Sequence, residues 1–179
     1  SLKRKINLYI CFSIIGVALV SSGLFFYKYS AELNNSIMKR LSIGAHHAKN
    51  CIDMNSLARI HEEGFSSSDD YKNTLVRFKE IEQSFGFSSI YVCVQESGHI
   101  TFACDSGDYQ SNEDLSFLTE YTDAPQQLAE CFSSGQEQTA EYTDKWGPTK
   151  SLFYPVKDSS GNVRFVIGAD YSIGDVRRE

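Results

Sequence analysis

An uncharged, apolar run near the N-terminus, Ile6–Tyr27, constrains this chain more than any other feature. A helix needs roughly 20 consecutive apolar residues to cross a bilayer, and this run has about that length. The basic residues Lys3–Lys5 precede it, whereas only Lys28 follows closely. Because Lys and Arg collect on the cytoplasmic side of membranes, we predict that residues 1–5 are a cytoplasmic flank and that residues 6–27 are a transmembrane helix.

Two other kinds of segment share parts of this pattern. A cleaved signal peptide also begins basic and continues apolar, but its core is shorter, and no clear small-residue cleavage site ends this run. A buried core helix is usually shorter and carries a polar face. We therefore expect an uncleaved anchor in the cytoplasmic membrane, with residues 28–179 in the periplasm or at the cell exterior.

A helical pattern continues beyond the apolar run, over residues 28–52. Apolar residues recur there at spacings of three and four, at Leu33, Ile37, Leu41, Ala45, Ala48 and Ile52. This spacing places them on one face of a helix. The stripe can cover a sheet, pair with a second copy of the chain, or do both at different heights.

Residues 53–173 show the periodicities of a mixed domain. Helical patterns cover residues 53–61 and 71–85, and a short helix opens at Asp123-Ala124-Pro125 and ends at Gly135. Strand patterns cover residues 90–95, 99–104, 138–143, 150–157 and 162–173, whereas residues 105–122 are polar and irregular. This order predicts an α+β fold, with an antiparallel five-stranded sheet and the long N-terminal helix on one face.

Charge and composition exclude several classes of function. The net charge is −6, and the folded region has no Lys/Arg cluster of the kind that binds nucleic acid. The five cysteines show no metal-like spacing, and we interpret them as small buried hydrophobic residues. His46 and His47 are adjacent, so on a helix they point about 100° apart and cannot easily share a metal ion. With no catalytic motif in the sequence, we expect neither an enzyme nor a cofactor.

Four short motifs near the C-terminal end carry a resemblance to a known family. They are YTDKWG at Tyr142–Gly147, SLFYPV at Ser151–Val156, DSSG at Asp158–Gly161 and VIGAD at Val166–Asp170. In this order, and behind an apolar helix, they resemble the single Cache family of PAS-like extracytoplasmic sensor domains. The likeness covers roughly residues 45–173.

The resemblance implies a receptor that senses a small extracellular molecule. In such receptors a cytoplasmic effector follows: a chemotaxis methyl-accepting domain, a histidine kinase, a diguanylate cyclase or a phosphodiesterase. No second apolar run precedes Glu179, so we expect this chain to be a fragment of such a receptor. The resemblance also implies a homodimer, formed through the N-terminal helix. The alternative is a membrane-anchored dimerisation or protein-docking module without a small ligand.

The hairpin between the last two strands locates a candidate ligand site. With Ser160-Gly161 at its centre, Ser151 lies opposite Asp170, Phe153 opposite Gly168, and Pro155 opposite Val166. One face then carries Ser151, Phe153, Gly168 and Asp170, and the other carries Leu152, Tyr154, Val156, Phe165, Ile167 and Ala169. We assign the second, more apolar face to the N-terminal helix.

The first face is the better lining for a ligand, because it offers a hydroxyl, a carboxylate and a glycine that leaves room. The predicted ligand-binding residues are Asp170, Ser151, Phe153, Trp146, Tyr142 and Tyr91, and residues 105–135 are predicted to form a lid. The resemblance implies that Asp170 lines the pocket and accepts hydrogen bonds from an amine or a hydroxyl. The alternative is that Asp170 simply returns to solvent at the end of its strand.

Overall fold

The computed structural model describes residues 2–51, 53, 55, 69–109, 117–144 and 147–174. The chain divides into two compact units, Ser1–Met38 and Lys39–Glu179. A single helix, α1 (Leu2–Cys51), accounts for the described part of the first unit and continues into the second. The predicted unbroken helix is thereby confirmed up to Cys51.

Large apolar side chains of the first unit are exposed. Leu19 is 70% exposed and Phe25 is 74% exposed, which is the opposite of a helix packed into a soluble core. Among the described residues, α1 is the one helix long and apolar enough to cross a membrane. The membrane anchor itself stays a prediction.

The second unit is built on one antiparallel sheet. Its strands are β1 (Ser89–Glu96), β2 (His99–Asp105), β3 (Gln138–Asp144), β4 (Gly147–Lys157) and β5 (Val163–Ser172). They lie in the order β2-β1-β5-β4-β3. Two helices complete the unit, α2 (Asp69–Phe85) and α3 (Gln126–Ser134). The predicted α+β class and five-stranded antiparallel sheet are confirmed.

The predicted register of the last hairpin is also confirmed. Ser151 pairs with Asp170, Phe153 with Gly168, and Pro155 with Val166. Alternate residues of a strand point to opposite faces of the sheet. The register therefore separates the two faces as the sequence predicted.

One face, here called the helix face, is closed by α2 and by α1 from Lys39 onward. Its fully or almost fully buried residues are Ile90, Val92, Leu152, Phe165, Ile167 and Ala169. The helix predicted over residues 71–85 is confirmed as α2. It buries an apolar stripe at Tyr71, Leu75, Phe78 and Ile81, and it contacts β1 and β2. The His46 ring of α1 lies 4.4 Å from the Tyr154 ring. The prediction that the N-terminal helix covers this face was therefore incomplete, since α2 shares it.

Two local predictions differ from the structure. The α3 helix does not open at Asp123; it begins at Gln126, and Pro125 is its N-cap in an extended conformation without a side-chain hydrogen bond. Gly135 ends the helix as predicted, with a left-handed φ of 62°.

The segment expected to be irregular, residues 105–122, contains a 3₁₀ turn at Ser106–Asp108. The helix predicted over residues 53–61 lies outside the described residues, apart from Asp53 and Asn55.

Candidate ligand-binding site

The second face of the sheet, here called the pocket face, carries Ser151 and Asp170. Part of it is an apolar core under α3, where Phe153, Leu128 and Cys131 are all fully buried. Of the predicted lid, residues 105–135, the structure describes residues 105–109 and 117–135, and the α3 helix within it packs on this face. The rest of the face is hollow.

A cavity of about 240 Å³ occupies the hollow part. The described residues that line it are Ser88, Ser89, Tyr91, Phe102, Asp105, Gly107, Tyr121, Thr149, Asp170 and Ser172. The lining combines two carboxylates, several hydroxyl groups and three aromatic rings. This is the mixture of apolar walls and a few converging polar groups that is typical of small-molecule sites.

Asp170 lies at the centre of a hydroxyl network and is only 8% exposed. Ser151 donates a hydrogen bond of 2.6 Å to Asp170 Oδ1, and Tyr91 donates one of 3.4 Å to the same atom. Ser151 Oγ also lies 3.1 Å from the Tyr142 hydroxyl, which is 3.2 Å from that of Tyr121. Because Ser151 has one hydroxyl proton, and the shorter contact uses it, we infer that Tyr142 donates to Ser151.

The tyrosines of this network are held as neutral donors. Burial, and next the negative charge of Asp170, raise the pKa of Tyr91 well above its ordinary value. The same two causes raise the pKa of Tyr142. Both hydroxyl groups therefore keep their protons at physiological pH, and that of Tyr91 donates to Asp170 directly.

Gly168 allows Tyr91 to take its position. The two residues are partners across the β1–β5 ladder, and a Cβ atom on Gly168 would lie 2.2 Å from Cε2 of the Tyr91 ring. The space that the sequence predicted for a ligand above this glycine is therefore filled by the Tyr91 ring. The glycine serves the site indirectly, because it lets the Tyr91 hydroxyl reach Asp170.

A second carboxylate, Asp105, lines the cavity at the end of β2. It is the N-cap of the 3₁₀ turn: the Gly107 N–H donates to Asp105 Oδ1 at 2.7 Å, and Ser89 Oγ donates to the same atom at 3.0 Å. Burial raises the pKa of the Asp105 carboxyl to about 6, the two hydrogen bonds lower it in part, and Asp108 and Glu82 raise it further. Asp105 is therefore a carboxylate held in an environment that disfavours its charge.

Three aromatic rings form one wall of the cavity. The ring centroids of Tyr91 and Phe102 are 5.4 Å apart, those of Phe102 and Tyr121 are 4.8 Å apart, and those of Tyr91 and Tyr121 are 6.2 Å apart. Edge-to-face and stacked pairs at these distances are stabilising. The wall is therefore a packed cluster that presents both apolar surface and ring faces.

The 3₁₀ turn also connects the cavity to α2. Tyr71 of α2 donates a hydrogen bond of 2.9 Å to Asp108 Oδ2, and both residues are buried. Gly107, the neighbour of Asp108, lines the cavity. A displacement of the cavity wall at Gly107 can therefore reach α2 through the hydrogen bond between Asp108 and Tyr71.

The six predicted site residues separate into four groups. Asp170 and Tyr91 line the cavity, Ser151 donates to Asp170 and is itself hydrogen-bonded to Tyr142, and Phe153 lies in the apolar core under α3. Trp146 lies outside the described residues. The predicted ligand-binding residues did not include Asp105, Phe102 or Tyr121, which line the cavity. Asp105 and Tyr121 lie within the predicted lid, and Phe102 lies on a predicted strand.

The described residues contain no group of three or more His, Cys, Asp or Glu side chains that could hold a metal ion. The two carboxylates of the cavity belong to strands on either side of β1 and do not form such a group. The lining can therefore accept hydrogen bonds, attract a positive charge and contact a ligand through aromatic rings.

Comparisons with known proteins support this architecture. No protein-family model matches the chain, and no curated protein sequence is significantly similar to it. Among solved structures, the sensor domain of the V. cholerae histidine kinase DctB is similar with a TM-score of 0.55 and 13% identity, over 84% of this chain and 60% of that one. The E. coli DcuS sensor domain is similar with a TM-score of 0.57 and 10% identity, over 80% of this chain and 96% of that one.

The chain shares the fold of these sensor domains. The PAS-like α+β fold expected from the sequence is thereby confirmed. The chain spans less than two thirds of the DctB domain that it matches. At these levels of identity the likeness concerns the fold, so the function has to be argued from the site.

Proposed function

We propose that this chain is the extracytoplasmic sensing portion of a membrane-bound receptor, and that it binds a small molecule in the cavity at Asp170. The domain has no catalytic role in this proposal. Its output passes to a cytoplasmic effector that lies outside the chain. The shared fold of the DctB and DcuS sensor domains supports the sensing role.

The observation that carries the proposal is a nearly buried carboxylate at the wall of a cavity. A buried carboxylate needs hydrogen-bond donors or a positive charge, or else it tends to become neutral. Ser151 and Tyr91 supply donors to Oδ1 of Asp170, and the cavity gives a ligand access to the same side chain. Asp170 and Tyr91 contact the ligand in this proposal, while Ser151 and Tyr142 position Asp170.

A docking module without a small ligand is the alternative, and it fits this face less well. Such a module has no need of a hollow lined by two carboxylates. The helix face shows what this sheet looks like when it serves only packing. The cavity therefore favours ligand binding.

A ligand screen tests the proposal. The full chain, purified in detergent, is heated with amines, amino acids or short carboxylates, and unfolding is followed by the fluorescence of its single tryptophan, Trp146. A ligand at a hundredfold excess over its Kd stabilises the folded state by about 2.7 kcal/mol. At least one compound should raise the midpoint in parent protein and fail to do so in Ser172→Phe, which fills the cavity and leaves Trp146 as the single tryptophan. If every stabilising compound acts equally on both proteins, the cavity is not the site.

The membrane topology is part of the proposal and has its own test. The basic flank before the apolar run supports an N-terminus in the cytoplasm. A reporter enzyme fused after Glu179, and active only outside the cytoplasm, should be active. Activity of a cytoplasmic reporter at the same position would reject this topology.

We also propose that the receptor is a homodimer through α1. Leu41, Ala45 and Ala48 are fully buried within the second unit, so a helical pair has to form N-terminal to them. Single cysteines at residues 28–36, in a chain with Cys11 replaced by Ser, should crosslink with a helical period. A flat crosslinking profile would reject a close pair.

A further inference from the structure

The cavity contains a second carboxylate that the proposed function does not use. We propose that the cavity accepts a small aliphatic diamine in its diammonium form, with one ammonium group at Asp170 and the other at Asp105. This inference rests on the proposed function, because it assumes that a ligand occupies the cavity. It adds the chemical class of that ligand.

The sheet places the two carboxylates on the same face, on either side of β1. Asp105 on β2 pairs with Tyr91, and Asp170 on β5 pairs with Ser89. Neighbouring strands are about 4.8 Å apart, so the backbones of the two Asp residues are separated by roughly 10 Å or more. Both side chains line the cavity between them. A short chain with a cationic group at each end fits this arrangement.

The charge of the lining selects a cation. Among the described residues that line the cavity, Asp105 and Asp170 are the charged ones, and none is Lys, Arg or His. The nearby charges that act on Asp105 are those of Asp108 and Glu82, which are negative as well. A dicarboxylate would place further negative charge here, at low dielectric, where repulsion is strong. A diammonium ligand supplies a positive charge, which none of the described lining residues carries.

The aromatic wall selects an organic cation. The rings of Tyr91, Phe102 and Tyr121 line the cavity together with the two carboxylates. Ring faces attract ammonium groups, and they also bury the methylene groups between them. A hydrated metal ion gains nothing from such a wall, and the described residues form no metal-binding group.

A series of four-carbon compounds tests the charge directly. Isothermal titration calorimetry of the full chain in detergent compares diaminobutane, n-butylamine, butanediol and succinate. At neutral pH these compounds carry two positive charges, one positive charge, no charge and two negative charges, respectively. Diaminobutane should bind most tightly and n-butylamine at least about tenfold more weakly, while butanediol and succinate should give no measurable heat. Binding of succinate or butanediol in preference to diaminobutane, or no binding of diaminobutane at millimolar concentration, would overturn the inference.

Variants separate this inference from the proposed function. Asp105→Asn should abolish the preference for diaminobutane over n-butylamine and leave binding of n-butylamine within about twofold. Asp123→Asn, an exposed carboxylate outside the cavity, is the matched control and should behave as the parent. An unchanged preference in Asp105→Asn would overturn the second ammonium position. If the cavity instead binds an anionic or neutral compound, and Asp170→Asn weakens that binding, the proposed site stands and the diamine does not.

Discussion

The two faces of the sheet are built from the same strands, yet they differ in what they bury. The helix face places Ile90, Val92 and Ile167 under two helices, and it buries apolar side chains almost without exception. The pocket face places Tyr91, Ser151 and Asp170 on the same strands, one residue out of phase. It buries hydroxyl groups and carboxylates around a hollow.

This difference has an energetic consequence. Burial of apolar surface on the helix face stabilises the fold by about 25 cal/mol per Å², and no polar group is buried at a cost among the described residues of its strands. The pocket face keeps two carboxylates in positions where at least one of them, Asp105, is disfavoured as a charged group. A sequence selected for stability alone would not keep this arrangement, whereas a ligand of opposite charge compensates for it. The comparison therefore supports the proposal that the helix face supplies stability and that the pocket face binds a ligand.

The largest effect is expected from a cavity on the helix face. Phe78 of α2 is fully buried, and Phe78→Ala should lower the free energy of unfolding by about 3–5 kcal/mol. On the pocket face, Ser172→Ala removes one hydroxyl from the cavity wall and should cost less than about 1 kcal/mol. Urea unfolding of the full chain in detergent, followed by Trp146 fluorescence, measures both. Equal losses of stability from the two substitutions would contradict the view that the helix face stabilises the fold more than the cavity wall does.

The next effect concerns the close approach of Gly168 and Tyr91. In Gly168→Ala the new methyl group meets the buried Tyr91 ring, and overpacking of this kind costs about 1–3 kcal/mol. Gly23→Ala is the control, because a Cβ atom there has open space. The same urea titration should show a loss for Gly168→Ala and none for Gly23→Ala. An unchanged stability of Gly168→Ala would mean that the Tyr91 ring is not fixed above this glycine.

An effect of comparable size, but of opposite sign, is expected at Asp105. The pKa of Asp105 in the folded protein, about 6, lies above the ordinary value of 3.8. Ionisation of this carboxyl therefore favours the unfolded state. The stability that the protonated group contributes is lost as the pH rises from about 4 to 6. Asp105→Asn should therefore stabilise the ligand-free protein by about 1–3 kcal/mol at pH 7.5, and by much less at pH 4. Urea unfolding at the two pH values checks this. A gain that is equal at both would show that ionisation of Asp105 is not the cause.

Much of the fold could be predicted because it depends on periodic patterns. The apolar stripe of α2, the five strands and the register of the last hairpin all follow from spacing and turn residues. The register placed Ser151 opposite Asp170, which is the core of the hydroxyl network. The Cache-like motifs pointed to the same strands.

The rest of the site depends on contacts that no local pattern records. Asp105 lies where the strand pattern ends and a polar segment begins, so its burial beside Ser89 was not visible in the sequence. Tyr121 reaches the cavity from a loop. The use of Gly168 was misjudged, because the size of the residue across the ladder, Tyr91, decides whether the space above a glycine stays empty.

The most direct test of the account is the affinity of Asp170→Asn for the strongest ligand found in the screen. Asn keeps a side-chain oxygen that accepts hydrogen bonds from Ser151 and Tyr91, so the free energy of unfolding of the variant should stay within about 1 kcal/mol of the parent. Loss of the charge should weaken ligand binding at least tenfold, or by about 1.4 kcal/mol. Calorimetric titration of the parent, Asp170→Asn and the exposed control Asp123→Asn measures this. Unchanged affinity in a folded Asp170→Asn protein would contradict the assignment of the pocket face as the binding site.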